Sequence, residues 1–240
     1  MLHDRDIREP LFDFLEEQYG KCRMLEEKVM GKSRADVVMV TPDALYGIEI
    51  KSDADTYARL SGQVKDYDQY YDFNYVVVGS SHALHIRKHV PPYWGVITVE
   101  LVEGAFDFYV LRKPSENPKM NWKRKLEILW RPELAQMQEW NGLPKYKDKN
   151  RRFVIEKISG MIPDKLAPES AREQISRILF ERDYTMAEEI LAEYRKGEIQ
   201  KELEKCDDPE RQVELIAARE AAKRNLRSCH VGTKRRRRRR

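Results

Sequence analysis

The stretch "RADVVMVTPDALYGIEIKSDADTYARLSGQ" (34–63) decides how this chain is read. Val37, Val38, Met39 and Val40 supply β-formers before Pro42 and Asp43, and Leu45, Ile48 and Ile50 supply them after, which predicts a hairpin closed by a two-residue loop. That loop sets Asp36 opposite Glu49 across the ladder. Alternation along the strand then puts Lys51 on the face of Glu49. A carboxylate and an ammonium thus share one face of a strand that a core would keep apolar.

Upstream, "CRMLEEKV" (22–29) is a further β-rich run, and the turn at Gly31 and Lys32 predicts a second hairpin in which Glu27 flanks Asp36. Residues 4–19, "DRDIREPLFDFLEEQY", hold Ile7, Leu11, Phe14 and Leu15 at helical spacing. Pro10 predicts that this helix begins late or is kinked. Downstream, Asp55 and Thr56 are candidate caps for a helix whose core stripe is Tyr57, Leu60, Val64, Tyr67 and Tyr71. Asp53 and Asp55 read as turn and cap residues rather than metal ligands. "YVVVG" (75–79) is a buried strand, and "WGVITVEL" with "FDFYVLR" around "VEGA" forms a closing hairpin. Residues 1–113 therefore read as an α/β domain, a sandwich of order αβββαβ with a mixed central sheet.

Proline-punctuated "KPSENPKMNWKRK" (113–125) opens a segment, 114–131, that reads as a linker. Apolar periodicity is helical beyond it, so 132–226 is a predicted helical C-terminal domain, and 227–240 a disordered basic tail, natural or an appended tag. Helical stretches from residue 169 carry mixed charge and read as packing or homodimer surface.

Three acids and a lysine on one patch need a compensating charge, because carboxylates facing each other repel. A divalent cation supplies it. Mg2+ or Mn2+ is a hard cation that takes one or two carboxylates and keeps waters for phosphate oxygens, so the chemistry implied is phosphodiester hydrolysis. Lys51 would hold the nucleophile or an equatorial oxygen.

Asp36, then Glu49-Ile50-Lys51 on the next strand, then a helix bearing Gln63, resembles the PD-(D/E)XK nuclease superfamily over residues 1–113. "RAD", "GIEIKSDADTYARLSGQ" and "PPYWGV" are similar, more narrowly, to a bacterial and phage branch of it. The resemblance implies a restriction-endonuclease-like fold and metal ligation by Asp36, Glu49 and the Ile50 carbonyl. It also implies a catalytic Lys51 and a Gln63 that completes the site. The pattern departs in two places: Ala35 stands at the motif's proline position, and the first-helix acid has only Glu9, next to Pro10. Glu27 is the alternative third acid.

"PELAQMQEWNGLPKYKDKNRRFVIEKI" (132–158) runs helix, Gly-Leu turn, basic loop, helix, an order that resembles the SAP DNA-binding motif. A generic helical hairpin with a solvated loop explains it as well. Lys145, Lys147, Lys149, Arg151 and Arg152 are the phosphate-contact candidates there. His82, His85 and His89 can share a helix face but lack a fourth ligand, so a surface helix or loop is favoured over a zinc site.

Composition narrows the rest. The net charge is +4, but Arg235 to Arg240 carry six positive charges, so the remainder is net negative and the global charge is no nucleic-acid signal. Cys22, Cys206 and Cys229 are odd in number and widely spaced, which favours neither a disulfide framework nor a zinc ribbon. No uncharged run approaches the ~18 residues of a membrane span, and the N-terminus meets charge at once. These features predict a soluble, cytoplasmic protein, and the resemblance implies that it acts on DNA as a metal-dependent deoxyribonuclease in DNA repair, recombination or phage DNA processing. The alternative is a nucleic-acid-binding or assembly protein that retains a nuclease-like fold without turnover.

Overall fold

The structure, a computed structural model, describes residues 4–51, 57–146 and 148–183. The chain divides into two compact units, Met1–Glu181 and Arg182–Arg240. Only Arg182 and Asp183 of the second fall among the described residues, so the predicted helices beyond them, the basic tail and the Asp53, Asp55 and Thr56 assignments lie outside the description.

Hairpin chemistry builds the first half of the sheet. β1 (Arg23–Met30) and β2 (Ser33–Val40) turn through Gly31, whose φ of +55° suits glycine, with Met30 opposite Ser33. β3 (Leu45–Lys51) follows the Pro42-Asp43 loop, which Thr41 N closes onto the Ala44 carbonyl at 3.0 Å. Val37 pairs with Ile48 and Val40 with Leu45, the register the two-residue loop predicts.

A 3-10 turn (Tyr57–Arg59) and α2 (Leu60–Tyr70) then carry the chain over one face, so that β4 (Phe73–Gly79) lies parallel to β3. The short α3 (Ala83–Ile86) leads to β5 (Gly95–Val102), parallel to β4. β6 (Ala105–Arg112) returns antiparallel through Glu103 and Gly104, both at positive φ. The result is a six-stranded mixed sheet in the order β1-β2-β3-β4-β5-β6.

Alternation sorts the sheet's residues between two layers. α1 (Asp4–Tyr19) buries Ile7, Leu11, Phe12 and Leu15 against Val37, Met39, Ile48, Ile50 and Val77. It begins before Pro10 rather than after it: the buried stripe outweighs the one hydrogen bond that proline forfeits. α2 covers the opposite face, where Leu60, Val64 and Tyr67 meet Val38, Val40 and Leu45. Gly47 makes that approach possible, since a Cβ there would lie 2.3 Å from Tyr71 Cδ2 and 2.6 Å from Tyr67 Cδ1.

Residues 114–131 are not a linker between separate cores. α4 (Trp122–Leu126) lies within them, and Leu126 and Leu129 join the same buried cluster as α2. α5 (Arg131–Trp140), α6 (Arg151–Ser159) and α7 (Pro168–Glu181) extend that cluster with Leu134, Met137, Val154, Ile155 and Ile175. Two polar joints fasten the segment after β6 to the corner between α2 and β4. Asn117 Nδ2 donates to the Asp68 and Tyr71 carbonyls at 2.9 and 2.7 Å. The fully buried Lys125 ammonium donates to both Asp72 oxygens, and Asp72 also accepts from Leu45 N at 2.8 Å. Burial pulls the Lys125 pKa down, against the pull of Asp72. No helix among the described residues is long and apolar enough to cross a membrane.

Candidate functional site

The register of β2 and β3 brings Asp36 and Glu49 into one cleft of about 960 Å³, together with Ile50, Lys51 and Gln63. Asp36 Oδ2 accepts from Ile50 N at 2.8 Å, which ties its carboxylate across the ladder to β3. Glu49 is 1% exposed. Its Oε1 lies 2.6 Å from Lys51 Nζ and accepts from Gln63 Nε2, while its Oε2 accepts from the Tyr67 hydroxyl at 2.7 Å. Lys51 Nζ in turn donates to Gln63 Oε1 at 3.0 Å. Gln63 thus bridges the two charges, which requires α2 to begin above the end of β3.

Tyr67 is the residue that sequence reasoning assigned to packing alone. Its hydroxyl accepts from Asp36 N at 3.2 Å and donates towards Glu49, with the Ile48 carbonyl 3.1 Å away. Burial first, then the Glu49 and Asp36 charges, drive its pKa well above the usual tyrosine range. The phenol therefore stays protonated and remains a donor. The only signal in the sequence was a tyrosine four residues beyond Gln63 on the same helix, a spacing that shares a face.

Neither candidate for the third acid lies in the cleft, whose third carboxylate is Asp66, which accepts from the Ser33 hydroxyl. Glu27 has φ +52° and turns to Arg34 at 3.0 Å and Arg8 at 3.7 Å, although the pairing on either side of it keeps the expected register. Glu9 is exposed on α1, across the sheet from α2. Among the described residues no third Asp, Glu, His or Cys joins Asp36 and Glu49 in a group able to hold a metal ion.

The donor chemistry nevertheless fits Mg2+ or Mn2+. Both carboxylates offer hard oxygens, and such ions commonly fill the rest of their shell with water and substrate oxygens. Glu49 receives three donors against about four acceptor positions on a carboxylate, which leaves capacity on its oxygens.

The other candidates are spread elsewhere. In the basic loop, Arg151 donates to the Leu129 carbonyl at 2.9 Å and to the Glu127 carbonyl, fastening α6 to the segment before α5. Lys145 pairs with Glu139 at 3.1 Å, Lys149 lies over the Phe153 ring, and Arg152 is exposed. Lys147 lies outside the described residues. The order α5, Gly142 turn, loop, α6 is present. Of the histidines, His82 Nδ1 lies 3.1 Å from the Tyr57 hydroxyl and His89 packs against the Tyr57 ring, while His85 is exposed. The "PPYWGV" residues serve the core: Tyr93 and Trp94 donate to buried Asp68 at 2.6 and 2.9 Å.

Fold and site together define an α/β protein in which a carboxylate strand, a Glu-x-Lys strand and a glutamine-bearing helix converge on one cleft. The family model for bacteriophage P4 protein cII matches residues 2–205, and the chain belongs to that family. No curated protein and no solved structure matches it.

Proposed function

We propose that this chain is a Mg2+- or Mn2+-dependent nuclease of the PD-(D/E)XK kind that hydrolyses DNA phosphodiester bonds. The observation that carries the reading is the convergence of Asp36, Glu49, Lys51 and Gln63 in one cleft. Asp36 and Glu49 would hold the ion, with the Ile50 carbonyl as a further ligand by resemblance. When bound, the ion supplies Lewis acidity and an activated water at neutral pH. Lys51, held by Gln63, presents its positive charge where an attacking water or a non-bridging phosphate oxygen would sit. Tyr67 and Gln63 fix the Glu49 carboxylate, so that little reorganisation is required as charge develops. Action in DNA repair, recombination or phage DNA processing, in a cytoplasmic setting, belongs to the same proposal.

One observation favours a second reading. The buried Lys51–Glu49 pair is neutral as a unit, which suits a DNA-binding or assembly protein that keeps the fold without turnover. Incubation of the full chain with duplex, branched and single-stranded DNA in Mg2+, Mn2+ or EDTA separates the two. Metal-dependent cleavage that falls at least ~100-fold in Lys51→Met and Asp36→Asn, both shown to be folded, supports the nuclease. Absence of cleavage, or equal cleavage by the variants, supports the second.

A further inference from the structure

The cleft is lined by five cationic side chains against three carboxylates. Two of the five are committed: Lys51 to Glu49 and Arg34 to Glu27. The other three are exposed, and none forms an ion pair with a described residue: Lys32 in the β1–β2 turn, Arg59 at the start of α2, and Lys65 nearly two turns further along it. They rise from two different elements, the hairpin turn and the helix, around the Asp36–Glu49–Lys51 group.

The basic loop at 143–150 and its neighbour Arg151 offer less. Lys145 and Arg151 already have partners, Lys149 sits over an aromatic ring, and Arg152 shares the field of the Glu156 carboxylate. A cation that must leave an existing partner gains less from a phosphate than one that is only hydrated. Unpaired cations on the wall of the cleft therefore make the better phosphate contacts.

We infer that Lys32, Arg59 and Lys65 form the surface that grips the nucleic-acid backbone, and that Lys145, Lys149, Arg151 and Arg152 are not the main DNA contact. The inference rests on the reading of the cleft as a DNA site, since it gives that site its substrate-binding residues. Lys32 on one side and Arg59 with Lys65 on the other would hold phosphates flanking the one presented to Lys51. Such contacts act through charge and carry no base sequence, so binding is salt-sensitive and sequence-tolerant.

The test is fluorescence anisotropy of the full chain with a labelled single-stranded oligonucleotide and its duplex, in EDTA, over a salt series. Two triple variants are compared, Lys32→Gln/Arg59→Gln/Lys65→Gln and Lys145→Gln/Lys149→Gln/Arg152→Gln, with melting curves to verify folding. The rim variant is expected to bind at least ~10-fold more weakly, with a log K against log salt slope shallower by about 2 to 3, given ~0.7–0.9 per phosphate contact. The loop variant is expected to stay within about threefold of wild type, since it removes no main contact. A larger loss in the loop variant, equal losses in both, or no DNA binding by the wild type overturns the inference. Cleavage is scored separately on the same proteins. Rim-dependent binding without cleavage upholds this inference and removes the nuclease reading; cleavage with rim-independent binding does the reverse.

Discussion

The Tyr67 hydroxyl stands between the two carboxylate-bearing strands, 2.7 Å from Glu49 Oε2 and 3.2 Å from Asp36 N. One phenol thus orients the acid on β3 and satisfies the backbone of the acid on β2. Tyr67→Phe leaves a buried oxygen and an N–H without this partner, at a cost of about 1–3 kcal/mol in urea unfolding. Supporting partners of metal ligands typically contribute 10–100-fold in affinity, so Mn2+ binding by calorimetry should weaken by about that factor. Unchanged Mn2+ affinity would leave Tyr67 with a packing role alone.

Mn2+ should raise the melting temperature of the wild-type chain. At a free concentration of 100 Kd the stabilisation is about 2.7 kcal/mol. For a chain of this size that is a shift on the order of 5–10 °C. Asp36→Ala should abolish it. If the full shift survives in that variant, the ion sits at another site.

Lys51 neutralises a buried carboxylate, so its replacement is not neutral for folding. In metal-free buffer Lys51→Met strands the Glu49 charge and should cost about 3–5 kcal/mol. The double variant Glu49→Gln/Lys51→Met should recover most of that loss. Mn2+ should also stabilise Lys51→Met by more degrees than it stabilises wild type, because the ion takes over the missing positive charge. Equal shifts in the two proteins would separate Lys51 from the metal site.

Gly47→Ala tests how closely α2 must approach β3. The added methyl group meets Tyr71 and Tyr67 well inside contact distance, on fully buried rings. Overpacking of this kind typically costs about 1–3 kcal/mol. The displaced Tyr67 should also lower Mn2+ affinity in calorimetry. Wild-type stability in Gly47→Ala would mean that the helix can lift without penalty.

The Asp72–Lys125 pair tests the joining of the sheet to the helices. Lys125→Met leaves a buried aspartate to be held only by Leu45 N and, at 3.5 Å, Arg172, and should destabilise the chain by about 3–5 kcal/mol. Asp72→Asn/Lys125→Met should restore a large part of this in urea titrations. One cooperative transition in both variants accords with a shared core; two separated transitions would contradict it.

What the residues made legible was local. Pro42 and Asp43 between β-rich runs announce a two-residue loop, and from that loop the register and the shared face of Asp36 and Glu49 follow, whereas Gln63 is legible only through the resemblance. What they hid depends on partners distant in sequence. Lys125 reads as a linker residue because lysines rarely sit in cores, and it is the pairing with Asp72 that makes its burial tolerable. Periodicity identified Tyr67 as apolar stripe but says nothing of where a hydroxyl points. Glu27 was placed beside Asp36 by pairing rules that assume extended backbone, whereas its positive φ and two arginines take its carboxylate elsewhere. The charges of the basic loop were plain, but Glu139 and the carbonyls of Glu127 and Leu129, which engage them, were not.

The strands lie in the sheet in the order in which they occur along the chain. No strand has to insert between two that are already paired, so the ladder can grow from its N-terminal edge, through two tight hairpins and then the longer crossovers that parallel pairing requires. Asp36, Glu49, Lys51, Gln63 and Tyr67 all belong to the early part of that growth. During synthesis the cleft's own residues can therefore assemble as soon as β4 has emerged to flank β3, while Asp72 still awaits the lysine that will cover it.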